Sequence, residues 1–237
     1  MRPTAQPTRA SIGVAAAAWF IGLAGSVVAY QIVMAATGHG GESVADVPFA
    51  VTAASVLAQW IPIVGMLWYV SSKFMSGSFV RDYGFRFRWI DLVGFPIGVF
   101  AQLVVLELLY WPLQSVFEKT FSRHELERPA RELTDRAGGG WKIVLLLLVV
   151  VGAPLVEETL YRGLLLRSLD ARLADLLALL ISAAWFAMAH FQPVQFMGLF
   201  AFGIILGSCL QRTGRLGMGI CAHAAFNATS LALLWSR

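Results

Sequence analysis

Charge is what this 237-residue chain lacks: Asp, Glu, Lys and Arg together make up 14% of it, against about 25% in an ordinary soluble domain. Hydrophobic residues make up 58%, and the mean hydropathy is +0.70. That leaves too little polar surface to cover a water-exposed globule, so the apolar excess has to face lipid. Cysteine is nearly absent as well. The two present, Cys209 and Cys221, sit in apolar runs without C-x-x-C spacing, which excludes a disulfide framework and a thiolate metal site. The formal charge is +4, but the basic residues are spread over short segments between apolar runs and form no stripe, so nucleic acid is not expected as a partner. Two signatures of hydrolytic chemistry are also missing. His124-Glu125-Leu126-Glu127-Arg128 lacks the second histidine of an H-E-x-x-H zinc helix, and no G-x-S-x-G elbow supports a serine nucleophile.

Long apolar runs are what the chain has. They lie at about Ile12 to Ala36, Phe49 to Val70, Trp89 to Val116, Ile143 onward, Ala174 to Ala189, Val194 to Leu210 and Leu216 to Trp235. At about 20 residues per span, they predict an all-α, polytopic transmembrane bundle of about seven helices, within a range of six to eight. The first run exceeds the h-region of a secretory signal and reads as a retained span. Residues 1–142 form the N-terminal helices and a polar connector, and residues 143–237 form the core that carries the chemistry, all within one integral membrane domain. In the connector, Glu118 to Arg136 mixes charges at helical spacing and reads as a solvated amphipathic segment. Gly94 with Gly98 and Gly203 with Gly207 give two G-x-x-x-G spacings, which predict close helix packing. Counting Lys and Arg on alternate sides places about eleven with the N-terminus, from Arg2 and Arg9 to Arg212 and Arg215, and the rest in the connector and at Arg237. By the positive-inside rule the N-terminus is cytoplasmic and Arg237 is outside.

Ionisable side chains inside apolar spans are costly and mark function. Glu157, Glu158 and Arg162 follow Pro154 in the fourth run. Glu158 and Arg162 stand four apart, one above the other on a helix, so they can pair. Glu157 is rotated by about 100° and points to another neighbour. His190 stands four residues after Phe186 at a run's end, where it is either an interfacial residue or part of a site. His223 and Asn227 share one helix face, as an interhelical hydrogen bond or as site residues. Two carboxylates, two histidines and an amide on three helices are more than packing requires, and one common polar cavity accounts for them. Convergence requires the fourth helix to run on past Glu158 to about Leu169, long or kinked at Pro154. These residues are the parts for attack of water on an amide: a carboxylate base, imidazole donors, acceptors or metal ligands, and an amide N–H for an oxyanion.

Glu157-Glu158-x-x-x-Arg162, Phe186-x-x-x-His190 and His223-x-x-x-Asn227, in that order, resemble the three motifs of the CAAX prenyl protease and bacteriocin-processing family over about residues 143 to 235. The resemblance implies an intramembrane endopeptidase with a site opening to the cytoplasmic side and acting on membrane-associated proteins or peptides. In it, Glu157 activates water, Glu158 pairs with Arg162, and His190, His223 and Asn227 complete the site. The family has been described both as metalloproteases and as glutamate-dependent proteases, so no cofactor is fixed and zinc is the candidate metal. Nothing in the chain indicates prenylated substrates. Two other classes share these residues: a peptide-binding or bacteriocin-immunity membrane protein that does not cleave, and a proton-coupled transporter, for which the expected inverted repeat is missing.

Overall fold

The computed structural model describes residues 9–43 and 45–236; Arg2 and Arg237, used in the topology count, lie outside the described residues. The described chain is helical, with no strand among the described residues. In order it forms α1 (Ile12–Ala36), α2 (Phe49–Phe74), the short α3 (Phe79–Tyr83), α4 (Trp89–Val116), the connector helix α5 (Arg123–Arg136), α6 (Trp141–Asp170), α7 (Asp175–Met188), α8 (Phe196–Thr213) and α9 (Gly217–Trp235). Six of these, α1, α2, α4, α6, α8 with its leading turn, and α9, are long and apolar enough to cross a membrane. The fifth apolar run, Ala174 to Ala189, gives α7, which is shorter. Its 14 residues rise about 21 Å, less than the ~30 Å of a hydrocarbon core.

Helix ends follow local chemistry. The Ser11 hydroxyl accepts from the Val14 amide at 3.1 Å and opens α1, and Ser122 does the same for Glu125 at 3.2 Å to open α5. Gly84 and Gly214 take left-handed φ values of 72° and 67° and close α3 and α8.

Close backbone approach sets the lateral packing. Any Cβ on Gly98 would run into the Ala222 carbonyl and lie 2.8 Å from the Phe226 amide, while one on Gly94 would meet the Met218 carbonyl. These two glycines seat α4 directly on α9. Gly203 brings α8 onto α7 in the same way, with Ala183 Cα 3.0 Å from a Cβ there, and Gly207 makes room for the Leu179 side chain of α7. α1 and α2 form a hairpin in which Gly25 faces Pro62 and the Ser26 hydroxyl donates to the Gln59 carbonyl at 2.6 Å. α6 is the central element and packs against α1, α2, α3, α7, α8 and α9.

Each end of the bundle is tied. At one, Arg215 makes a two-pronged pair with buried Asp91, at 2.8 and 2.7 Å, and Arg167 donates to the Gly214 carbonyl at 2.6 Å. At the other, Arg136 at the end of α5 donates to the Val47 carbonyl and the Thr52 hydroxyl, each at 3.2 Å, and Gln195 donates to the Leu126 carbonyl at 2.7 Å. These are called here the arginine end and the connector end.

Gly98→Leu should therefore break the α4–α9 contact, with an overpacking cost of about 1–3 kcal/mol or more because the obstructing atoms are backbone. Thermal unfolding in detergent should show a clear loss of stability. Gly65→Ala, where a Cβ meets nothing within 4 Å, should be neutral or slightly stabilising.

Candidate active site

α6 runs unbroken through the Glu157–Arg162 stretch to Asp170, with Pro154 inside it, and its pitch widens on both sides of that proline. Leu147–Gly152 and Glu158–Leu166 are π-helical. In the first of these the Ala153 amide bonds the Leu148 carbonyl five residues back. The next bond in that register would run from residue 154 to Val149, but proline has no N–H to give. The Asn227 side-chain amide supplies it, donating to the Val149 carbonyl at 2.7 Å. Asn227 thus repairs the ladder that Pro154 interrupts, and the same bond ties α9 to α6.

The helix levels explain how residues from distant parts of the sequence meet. Arg167 and Gly214 touch at the arginine end. Moving nine residues back along α6 reaches Glu158, and moving nine forward toward and along antiparallel α9 reaches His223. Those two side chains are bonded, His223 Nδ1 to Glu158 Oε1 at 3.0 Å. On the other flank, Gln211 donates both to Asp170 at the end of α6 and to the Asp175 carbonyl at the start of α7, each at 2.9 Å. Thirteen residues back along α6 lies Glu157, and fifteen forward lies His190, so the short α7 delivers its histidine to the depth of the glutamates. The turn at His190 is tight: Phe191 adopts φ 52°, a left-handed value uncommon for a bulky residue.

Glu158 and Glu157 occupy different surroundings. Glu158 is fully buried, and its Oε1 accepts from both Arg162 Nη1 and His223 Nδ1 at 3.0 Å. Arg162, also fully buried, donates from Nη2 to the Gly203 carbonyl at 3.3 Å and lies 4.4 Å over the Phe186 ring. Glu157 keeps 28% of its side chain exposed. Its Oε2 is itself buried without a hydrogen-bond partner among the described residues, and lies 3.9 Å from His190 Nε2 and 3.8 Å from His223 Nε2.

The other ring nitrogens fix the tautomers. His190 Nδ1 stands 2.7 Å from the Phe186 carbonyl, which can only accept, and His223 Nδ1 faces a carboxylate paired to arginine. Both Nδ1 atoms therefore carry hydrogen, and in the neutral rings both Nε2 atoms present lone pairs. Glu157 Oε2 and the two Nε2 atoms thus form a set of acceptors with no donor among them.

The structure brings Glu157, Glu158, Arg162, His190 and His223 together; Asn227 sits one turn along α9 with its amide on Val149. Two further residues contribute. Phe186 holds His190 through its carbonyl and Arg162 through its ring, and its ring packs edge-on to both histidines, 4.6 and 6.1 Å between centroids. Gly219 leaves room for Glu158: a Cβ there would lie 3.0 Å from Glu158 Oε2. The four-residue spacing to His190 pointed to the first; nothing local pointed to the second.

Residues 139–229 match the family model described as type II CAAX prenyl endopeptidase Rce1-like. The similarity is confined to the C-terminal segment. The match runs from just before α6 to within α9 and includes all six site residues, while α1 to α5 lie outside it. Comparison with curated proteins and with solved structures gives no match. As for a metal, no group of three or more His, Cys, Asp and Glu side chains among the described residues is arranged to hold one. Glu157, His190 and His223 are suitable donor types for zinc, but the carboxylate oxygen stands 3.8 and 3.9 Å from the nitrogens. Bonds of about 2.0–2.1 Å in a tetrahedron give an edge of roughly 3.3 Å, so the donors as they stand do not fit that ion.

Arg162→Leu removes the cation from a carboxylate with no route to water. Breaking a buried pair in this way costs about 3–5 kcal/mol, so the yield of folded, monodisperse protein in detergent should fall sharply. Arg162→Lys keeps a charge but not the two-directional reach to Glu158 and Gly203, and should recover only part of the loss.

Proposed function

We propose that the protein is an intramembrane endopeptidase that hydrolyses peptide bonds of membrane-associated proteins or peptides by means of a glutamate-activated water. The observation that carries this reading is the all-acceptor set of Glu157 Oε2, His190 Nε2 and His223 Nε2, at separations a single water can bridge. Water is the proton source such a set selects, and the family match supports a protease. In this reading the water gives one proton to Glu157 as its oxygen bonds to the scissile carbonyl carbon. The C–N bond then breaks, Glu157 passes that proton to the leaving nitrogen, and the second proton stays with the new carboxyl group. The imidazoles accept from the water and hold it against Glu157. Glu158 and Arg162 do not touch the substrate; they hold His223 in the tautomer and position that this requires. Asn227 has a positioning role through Val149. The N-terminus is assigned to the cytoplasmic side from the distribution of Lys and Arg.

A peptide-binding or immunity protein would use the same cavity without proton transfer, and one substitution separates the two. Glu157→Gln keeps the volume but cannot take a proton from water, so cleavage should fall by about 100-fold or more while folding and peptide binding survive. A phenotype that persists unchanged in that variant overturns the protease reading.

Metal dependence is read in parallel on the wild-type protein. Cleavage should survive dialysis against a strong chelator; activity lost to the chelator and restored by zinc would assign the histidines as ligands instead.

A further inference from the structure

Glu157 faces two ways. On one side are the imidazoles; on the other is a partly open cavity of about 170 Å³ bordered by α2, α6 and the end of α5. Apart from Thr52 its walls are apolar, with Ala53 and Trp60 from α2, Leu145 and Leu148 from α6 and Leu133 from α5, and Glu157 is its charged member. The lining runs from Leu145 and Leu133 at the connector end inward to Trp60 and Glu157. Trp60 is wedged against Gly152, where any Cβ would strike its ring, so the inner wall is shaped by a residue that has to be glycine. Over the connector end Arg136 ties α5 to the start of α2.

We infer that this cavity is a specificity subsite that takes one apolar side chain, of the size of Leu, Ile, Met or Phe, from the residue next to the cleaved bond. The occupant follows from contents and volume. An apolar cavity of about 150 Å³ holds a benzene-sized group. A charged side chain would lose its hydration there with no partner but the carboxylate base. A fifteen-carbon isoprenoid has more than twice the carbons of a benzene ring and exceeds this volume. The position follows from Glu157: a side chain in the cavity places the backbone carbonyl beside it within reach of the carboxylate that activates water. The name of the occupant rests on the protease reading; the cavity and its size do not.

The test uses the full-length protein in nanodiscs with a synthetic peptide library in which an apolar anchor precedes a randomised stretch, and products are mapped by mass spectrometry. One of the two positions flanking the cut should be enriched in Leu, Ile, Met and Phe. Ala53→Phe fills the cavity and should lower kcat/KM for Leu and Phe peptides about 10–200-fold relative to Ala peptides. Trp60→Ala enlarges it and should shift preference toward Trp, and this variant decides the matter if Ala53→Phe fails to fold. Cleavage with the same profile in wild type and folded variants overturns the subsite while leaving the protease reading intact. A wild-type protein that cuts no peptide overturns the protease reading, and the cavity is then decided by crosslinking on the Glu157→Gln protein. Photo-leucine peptides attached at Trp60 or Leu148 support an apolar side-chain site, and attachment elsewhere overturns it.

Discussion

A carboxylate sealed inside the bundle is the constraint on which the rest of the structure depends. Glu158 has no access to water, so its charge has to be met by protein, and the protein meets it from two directions through one oxygen, Arg162 from its own helix and His223 from α9. Arg162 in turn needs acceptors, and it takes the Gly203 carbonyl of α8 and the face of Phe186 on α7. One buried charge therefore recruits α7, α8 and α9 around α6. A buried pair is weak evidence for net stability, because desolvation consumes much of the Coulombic gain. Its value here is geometric. No rotation or sliding of α6 against α9 keeps the His223 bond to Glu158 Oε1, so the bundle is held in a single register.

That register sets the positions of the exposed groups. The glutamate next to Glu158 is turned toward the space that the two imidazoles border, and each imidazole is held from behind by a group that only accepts hydrogen bonds. The wide π-helical pitch from Glu158 to Leu166 and the proline-interrupted stretch before it are costly departures from an α-helix. They are compensated by Asn227 on Val149 and by the glycines that let neighbouring backbones close in. Structure that would be a defect in an isolated helix is maintained by neighbours, as departures from regular geometry at functional sites commonly are.

Much of this was legible in the sequence, and the reasons differ by residue. The apolar runs gave helix bounds within a few residues, because lipid imposes one strong requirement on every span. Gly94, Gly98, Gly203 and Gly207 could be read as packing sites because only hydrogen fits where a neighbouring helix presses this close. The pairing of Glu158 with Arg162 followed from a spacing of four. The shortness of α7 was legible as well, since its run, Ala174 to Ala189, already falls short of the about 20 residues of a span; the left-handed turn at Phe191 was not. Nor was the sharing of Glu158 Oε1 with His223, or the space provided by Gly219: both depend on the relative height of two helices some sixty residues apart in sequence. Asn227 was the least readable. It stands in line with His223 on α9, and only the π register before Pro154 shows that its amide is engaged by a carbonyl.

Adjacent glutamates with opposite exposures offer a way to separate holding from reacting. A single carboxylate that anchored the bundle and also exchanged protons would lose its partners' hold each time it was protonated, because the ion pair with Arg162 depends on its charge. Placing the two duties on consecutive residues avoids the conflict. The rotation between neighbours on a helix turns Glu158 into the sealed interior and Glu157 toward the imidazoles and the apolar cavity, at no cost in chain length. In the proposed mechanism, proton traffic at Glu157 leaves the Glu158–Arg162–His223 hub in place. His223 links the two, with Nδ1 on the sealed carboxylate and Nε2 toward the open one. The rigidity of the buried side is thereby transmitted to the orientation of the reactive side.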